Sequence, residues 1–259
     1  MRRQAATLAF IALIPFQALA SQVLARPITV QSPGIVIAPL RKLAAQWTAQ
    51  TGQEVVVKGG NVKSVSEAVA SGAPDDVVLL PVTNLDGLAT DVTRDSRRPV
   101  GRVAFGVVAK EGTPHPDIAT ETKFTRFVQS AGALAFSDPA TGSLSGTIVA
   151  KMLARPQFKG ARPLPSKGMV GEAIVRGDAT FGVGAISEAL MTSGAAVVGR
   201  IPDSLEMHID IDGAILKAAP SPVQATMFLN YITGAEAQAV WGAGGIERIP
   251  ARRPARSGR

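Results

Sequence analysis

From Ile28 onward the chain alternates short apolar runs with amphipathic stretches, separated by loops of small polar residues. The runs at 28–31, 54–58 and 76–80 read as strands, and DVVLL at 76–80 has the continuous apolar character of a strand buried on both faces. Between them, Ile35 to Gln50 sets Leu40, Leu43, Ala44 and Trp47 on one face and predicts a helix. Its regular part should begin near Pro39, because proline suits a first helical turn, and Thr51 and Gly52 stop it. The loop Gly59-Gly60-Asn61 precedes a second helix, from about Val62 to Ser71. Strands alternating with helices at this spacing predict βαβ units and a parallel sheet, with ligands taken at the carboxyl ends of the strands.

The rhythm then changes. Residues 102–110, RVAFGVVAK, form a long apolar strand, and the breaker cluster at 111–116 suits a crossing into a second lobe. A helix near Phe124 to Ser130, a strand at 133–136 and a helix over 169–176 follow. Strand-like runs at 179–186 and 195–199 come next. The stretch 209–218 returns to the first lobe, and helices over 222–232 and 236–241 end the pattern. The expected organisation is two α/β lobes, residues 27–103 with 205–250 as lobe I and 104–204 as lobe II, joined by two crossings.

The segment 137–146, SDPATGSLSG, lies between the strand at 133–136 and the apolar run that starts at Thr147. Small hydroxylated residues and glycines opening a helix make an anion cradle, because the first turn carries unpaired N–H groups at the positive end of the macrodipole. Thr141, Ser143 and Ser145 add side-chain donors; serine and threonine at such positions also act simply as N-caps.

Composition narrows the reading. Residues 1–20 carry two arginines, an apolar stretch interrupted by Pro15, and Ala18-Leu19-Ala20 ahead of Ser21. This is the layout of a secretory signal peptide cleaved after Ala20, and it places the mature protein in the periplasm. Cysteine is absent, so disulfides and thiolate ligands are excluded, and a 46% hydrophobic composition supplies the core instead. The formal charge of +7 is concentrated at the ends: without Arg2, Arg3, Arg252, Arg253, Arg256 and Arg259, the 27 basic residues fall to 21 against 20 acidic ones. The body is nearly neutral, residues 251–259 read as a disordered basic tail, and nucleic-acid binding is not expected.

Enzyme signatures are weak. The stretch Gly142 to Gly146 places Leu144 where a nucleophile elbow needs its serine. His208 with Asp210 and Asp212 is a paper candidate for a hydrolase or a metal site, but alternation puts the three on one polar strand face. No metal or cofactor is expected.

Several ordered pieces resemble the type II periplasmic solute-binding proteins of ABC importers, in the molybdate-binding branch. They are ITV at 28–30, QTG at 50–52, SGAPDDV at 71–77, SDPA at 137–140, AIVRGDA at 173–179 and YITGAEAQA at 231–239. The resemblance implies two α/β lobes closing over a small anion held by hydroxyls and main-chain N–H groups, without catalysis. It also implies a monomer that delivers its ligand to a membrane permease. The expected contacts are Ser32, Gly34, Lys63 and Ser64 from lobe I, with Thr141, Ser143, Ser145, Lys167 and Ser187 from lobe II. Ile35 stands where the branch has a serine and Ala185 where it has a tyrosine, while Lys63 and Lys167 are additional cations. Those departures set molybdate in question and leave the ligand as a molybdate- or tungstate-like oxyanion or another small anion; an organic carboxylate or phosphonate could use a lysine where the branch uses neutral donors. The alternatives are an orphan sensor or scavenger of an organic anion and, from another class, a small exported hydrolase.

Overall fold

A computed structural model describes residues 26–249; the expected signal peptide and basic tail lie outside them. β1 (Ile28–Pro33) and β2 (Val55–Gly60) run parallel, in register from Ile28 opposite Val55 to Pro33 opposite Gly60, and β3 (Val77–Pro81) lies on the other side of β1. α1 (Gly34–Thr51) and α2 (Val62–Ala70) connect these strands, and α3 (Val82–Asp86) follows β3. β4 (Arg98–Lys110) leads to α4 (Glu121–Ser130), β5 (Ala133–Ser137), α5 (Leu144–Leu153) and β6 (Arg162–Ser166). Then come α6 (Val170–Arg176), β7 (Phe181–Ala185), α7 (Ile186–Ala189) and β8 (Ala195–Arg200). β9 (His208–Ile215), α8 (Pro222–Thr233), α9 (Ala237–Ala243) and β10 (Ile246–Glu247) complete the described chain.

The strand order is β2-β1-β3-β9-β4-β7-β5-β6, with β8 and β10 also paired to β4. The sheet is therefore mixed rather than parallel throughout. β1, β2 and β3 form one parallel set and β5, β6 and β7 another, while β4 and β9 run antiparallel between them. β4 is the pivot of this two-lobed α/β fold. Its residues 98–104 pair with β9 and its residues 105–109 with β7. A strand that serves both lobes needs apolar residues along nearly its whole length, and Val103 to Ala109 are all buried. One core cluster runs from Ile28 and Leu40 through Val103 and Val107 to Phe124 and Val149.

Two local outcomes differ from expectation. α1 begins at Gly34, not near Pro39, so the proline sits inside the helix. It forfeits one backbone bond, but its ring is buried against the end of α9, where Gly244 has no side chain to obstruct it. Residues 32–33 extend β1 beyond the predicted run at 28–31, because β2 pairs with them as far as Gly60.

Asp75 and Asp76, which resemble a turn cap in sequence, are both buried where β3 begins. Asp76 accepts from Thr29 N at 2.9 Å, Thr29 Oγ1 at 3.0 Å and Ser221 N at 2.8 Å, tying β1 to the start of α8. Asp75 accepts from Lys58 Nζ at 2.6 Å and Gln31 Nε2 at 2.7 Å. Burial alone would raise its pKa; the bonds from Lys58 and Gln31 outweigh that and hold it below the usual value. No helix among the described residues is long and apolar enough to cross a membrane.

Candidate ligand-binding cleft

The carboxyl ends of both parallel strand sets face one cleft of about 310 Å³. From the first lobe come Gly34 and Ile35 after β1, and Gly60, Asn61 and Val62 after β2. From the second come Ser137 and the loop 141–145 after β5, Gly168, Met169 and Glu172 after β6, and Glu188 after β7. The first turns of α1, α2 and α5 thus open on the same space, each bringing about half a positive charge at its N-terminus. α1 has no side-chain cap, since its N-cap is Pro33, so its first N–H groups are left for a ligand.

Three sequence features build the α5 end. Ser143 caps the helix, its Oγ accepting from Gly146 N at 3.0 Å. Gly146 has no alternative there, because any Cβ would run into the Ser137 carbonyl at the end of β5. Gly142 holds φ +81°, and a Cβ on it would meet Asn61 Nδ2 of the facing lobe at 3.3 Å. The two lobes therefore approach closely across the cleft at Asn61 and Gly142.

The expected contact residues divide. Gly34, Thr141, Ser143 and Ser145 line the cleft. Thr141 Oγ1 is spent on the Asp138 carbonyl at 2.7 Å. Ser32 is fully buried one residue short of the cleft lining, with its hydroxyl donating to the Pro33 carbonyl at 3.2 Å. Ser64 is exposed and bonded to Asn61, its hydroxyl donating to the Asn61 carbonyl at 3.0 Å. Lys63, 78% exposed, pairs with Glu67 at 3.7 Å, and neither it nor the exposed Lys167 is among the lining residues. Ser187 faces a separate crevice of about 220 Å³ with Ala38, Pro39 and Leu190.

The sequence reading passed over the residue beside it. Glu188 lies in the cleft wall, and its Oε2 accepts from Ser145 Oγ at 2.9 Å. Burial raises its pKa above the ordinary glutamate value, outweighing the Ser145 bond, which lowers it. Glu172 is the other acidic lining residue; its Oε2 accepts from Met169 N at 3.2 Å and closes the start of α6. No lysine or arginine lines the cleft among the described residues. The paper hydrolase set is engaged elsewhere: Asp210 accepts from Arg102 at 2.6 and 2.9 Å, and Asp212 from Arg97 at 2.5 Å.

Comparison with known proteins finds relatives in sequence and in fold. An aconitate isomerase from a Pseudomonas species is 30% identical over 234 residues, covering 87% of this chain and 89% of that protein. Two solved structures share the fold. The substrate-binding domain of a putative molybdenum ABC transporter from Clostridium difficile superposes with a TM-score of 0.71 at 13% identity, over 86% of this chain and 99% of that one. The periplasmic molybdate-binding protein of Azotobacter vinelandii does so with a TM-score of 0.66 at 21% identity, over 86% and 99%. The model of the bacterial extracellular solute-binding proteins matches residues 28–247, and the chain belongs to that family.

Proposed function

We propose that the protein is a periplasmic receptor, monomeric, that closes over one small organic acid of the polycarboxylate class and presents it to the permease of an ABC importer. The observation that carries the ligand class is the mixture in the cleft wall. Ile35, Leu144 and Met169 alternate with the open first turns of α1 and α5, and no cation is present among the lining residues. An inorganic oxyanion has no apolar part to set against those side chains and would lie near Glu188 whatever its orientation. An extended acid places its carboxylates on the helix N-termini and its carbon chain against Ile35, Leu144 and Met169. The relative named as an aconitate isomerase supports the same class, since aconitate is an unsaturated tricarboxylate.

The energetics are sufficient without lysine. Micromolar affinity requires about 8 kcal/mol, and hydrogen bonds to a charged group contribute roughly 1.5 to 3 kcal/mol each. About five main-chain or side-chain donors, less the cost of ordering the lobes, reach that value. Ligand bridging the lobes then shifts the open and closed populations, which is the signal a permease reads.

Isothermal titration of the protein with aconitate, citrate, tricarballylate, molybdate, tungstate, sulfate and phosphate tests the assignment. Micromolar binding of at least one polycarboxylate with no response to molybdate or tungstate is expected. Tight molybdate binding with no response to any organic acid overturns it.

A further inference from the structure

We propose that the same cleft is catalytic toward carbon acids, with Glu188 as a base that carries a proton between two carbons of a bound unsaturated polycarboxylate. The proposal rests on the ligand class inferred above and adds an activity to it.

The argument starts from an imbalance. Three other buried or half-buried carboxylates are each matched by a cation: Asp75 by Lys58, Asp212 by Arg97, Asp210 by Arg102. Glu188 pairs with no cation among the described residues, and a receptor for anions gains nothing from an unpaired carboxylate in its wall. Glu188 is also held rather than loose. Ser145 Oγ fixes Oε2 at 2.9 Å, leaving Oε1 with no described donor and the carboxyl on the cleft lining. Among the described residues the only other charged one on the lining is Glu172, and it is occupied at the start of α6. A carboxylate whose proton affinity is raised by burial is a stronger base toward carbon than a solvated one. Across the cleft, the uncapped first turn of α1 can bind a carboxylate that takes up charge in the transition state, and beside Glu188 the first turn of α5 offers the N–H groups that its Ser143 cap leaves free.

The step balances without a cofactor. Glu188 Oε1 takes a proton from the saturated carbon that lies between a carboxylate and the double bond. That C–H bond breaks, an O–H bond forms, and the electron pair spreads over the three-carbon unit into the flanking carboxylates. Glu188 then returns the proton to the far carbon, so the O–H bond breaks, a C–H bond forms, and the double bond has moved by one position. Where the two ends carry the same groups, as in aconitate, the net result is exchange of the cis and trans forms.

Proton NMR of the full chain with cis- or trans-aconitate in D₂O, run beside calorimetric titration of the same samples, tests this. Wild type should bind the acid and interconvert the isomers, with deuterium entering the methylene and vinyl carbons to the extent that the Glu188 carboxyl exchanges with solvent before the proton is returned. Glu188→Gln, at saturating ligand and with its melting temperature checked, should turn over at least about 100-fold more slowly. Glu188→Asp, which keeps the charge but withdraws it, should fall between the two. Ser145→Ala should remain active with the acid limb of its pH–rate profile moved to higher pH, because the bond that favours the charged form is gone. Binding by wild type without interconversion of the isomers overturns the catalytic proposal and leaves the receptor intact. Failure to bind any polycarboxylate overturns both, and turnover by Glu188→Gln within about threefold of wild type removes Glu188 from the role.

Discussion

Asp76→Ala is the substitution for which the structure gives the most complete energetic statement. The carboxylate is fully buried and accepts from Thr29 N, Thr29 Oγ1 and Ser221 N between 2.8 and 3.0 Å, with Arg26 Nη1 at 3.2 Å on its solvent side. Alanine leaves two backbone N–H groups and one hydroxyl without their acceptor in a fully buried site. Each orphaned buried group costs about 1 to 3 kcal/mol. The half-exposed Arg26 contact contributes little, because its guanidinium reaches solvent. The expected loss is about 3 to 5 kcal/mol, and at about 2 to 4 °C per kcal/mol for a domain of this size the melting temperature should fall by roughly 6 to 20 °C. Thermal denaturation followed by circular dichroism at neutral pH measures it. Asp76→Asn keeps the shape and one acceptor, and should recover part of the loss. A fall of less than about 3 °C in Asp76→Ala would refute the claim that this carboxylate joins β1 to α8.

Other consequences are as direct. Gly142→Ala puts a side chain at φ +81° against Asn61, so it should cost about 1 to 2 kcal/mol of stability and weaken ligand affinity at least fivefold in titration calorimetry, since the same contact lies at the lobe closure. Lys63→Ala and Lys167→Ala should change affinity less than twofold, because the proposed binding mode uses helix N-termini and both lysines lie off the cleft lining; a tenfold loss in either would make that lysine a ligand contact. Glu188→Gln should stabilise the ligand-free protein, and only above acid pH. A glutamate with a raised folded pKa contributes stability below its unfolded value near 4.3 and loses it as pH rises through the folded value. Melting curves of the two proteins should therefore converge near pH 4 and separate toward pH 8, and parallel curves would contradict the environment described for Glu188.

Where the fold and the cleft could be read from the sequence, the cause is local. The loop 137–146 declares itself because a strand, a run of hydroxyls and glycines, and a helix follow in order, and Ser143 and Gly146 then have one way to fit. The lobes were legible because each apolar run is one strand. What was not legible depends on direction and on partners far away in sequence. Lys63 follows a cleft loop by two residues, but as the second residue of α2 it points outward to Glu67. Ser187 and Glu188 are neighbours on α7, and the roughly 100° between successive helical residues sends one to the rear crevice and the other to the cleft. Nothing in the run at 186–190 marks Glu188 as buried; its setting comes from Ser145, 43 residues earlier. The early start of α1 has the same origin, because the room for Pro39 is made by Gly244 at the other end of the chain.

The hydroxyls of the α5 loop have a fixed polarity, and it separates two roles that the sequence alone merges. Ser145 Oγ donates to Glu188, so in its contact with Ser143 Oγ at 3.1 Å it must accept. Ser143 donates there while its own oxygen takes the N–H of Gly146. With Glu188 ionised, both hydroxyl protons are used inside the wall, and what remains for a ligand at this end of the cleft is main-chain N–H. Ser143 and Ser145 are then a cap and a brace, not two equivalent ligand donors. Ser143→Ala removes the cap, costs about 1 kcal/mol, and loosens the turn whose N–H groups hold the anion, so its effect should fall on affinity. Ser145→Ala leaves the cap and that turn in place and frees Glu188, so its effect should fall on the pH dependence of turnover. Equal losses of affinity in the two variants would mean that both serines touch the ligand directly and that the chain from Ser143 to Glu188 does not set the protonation of the site.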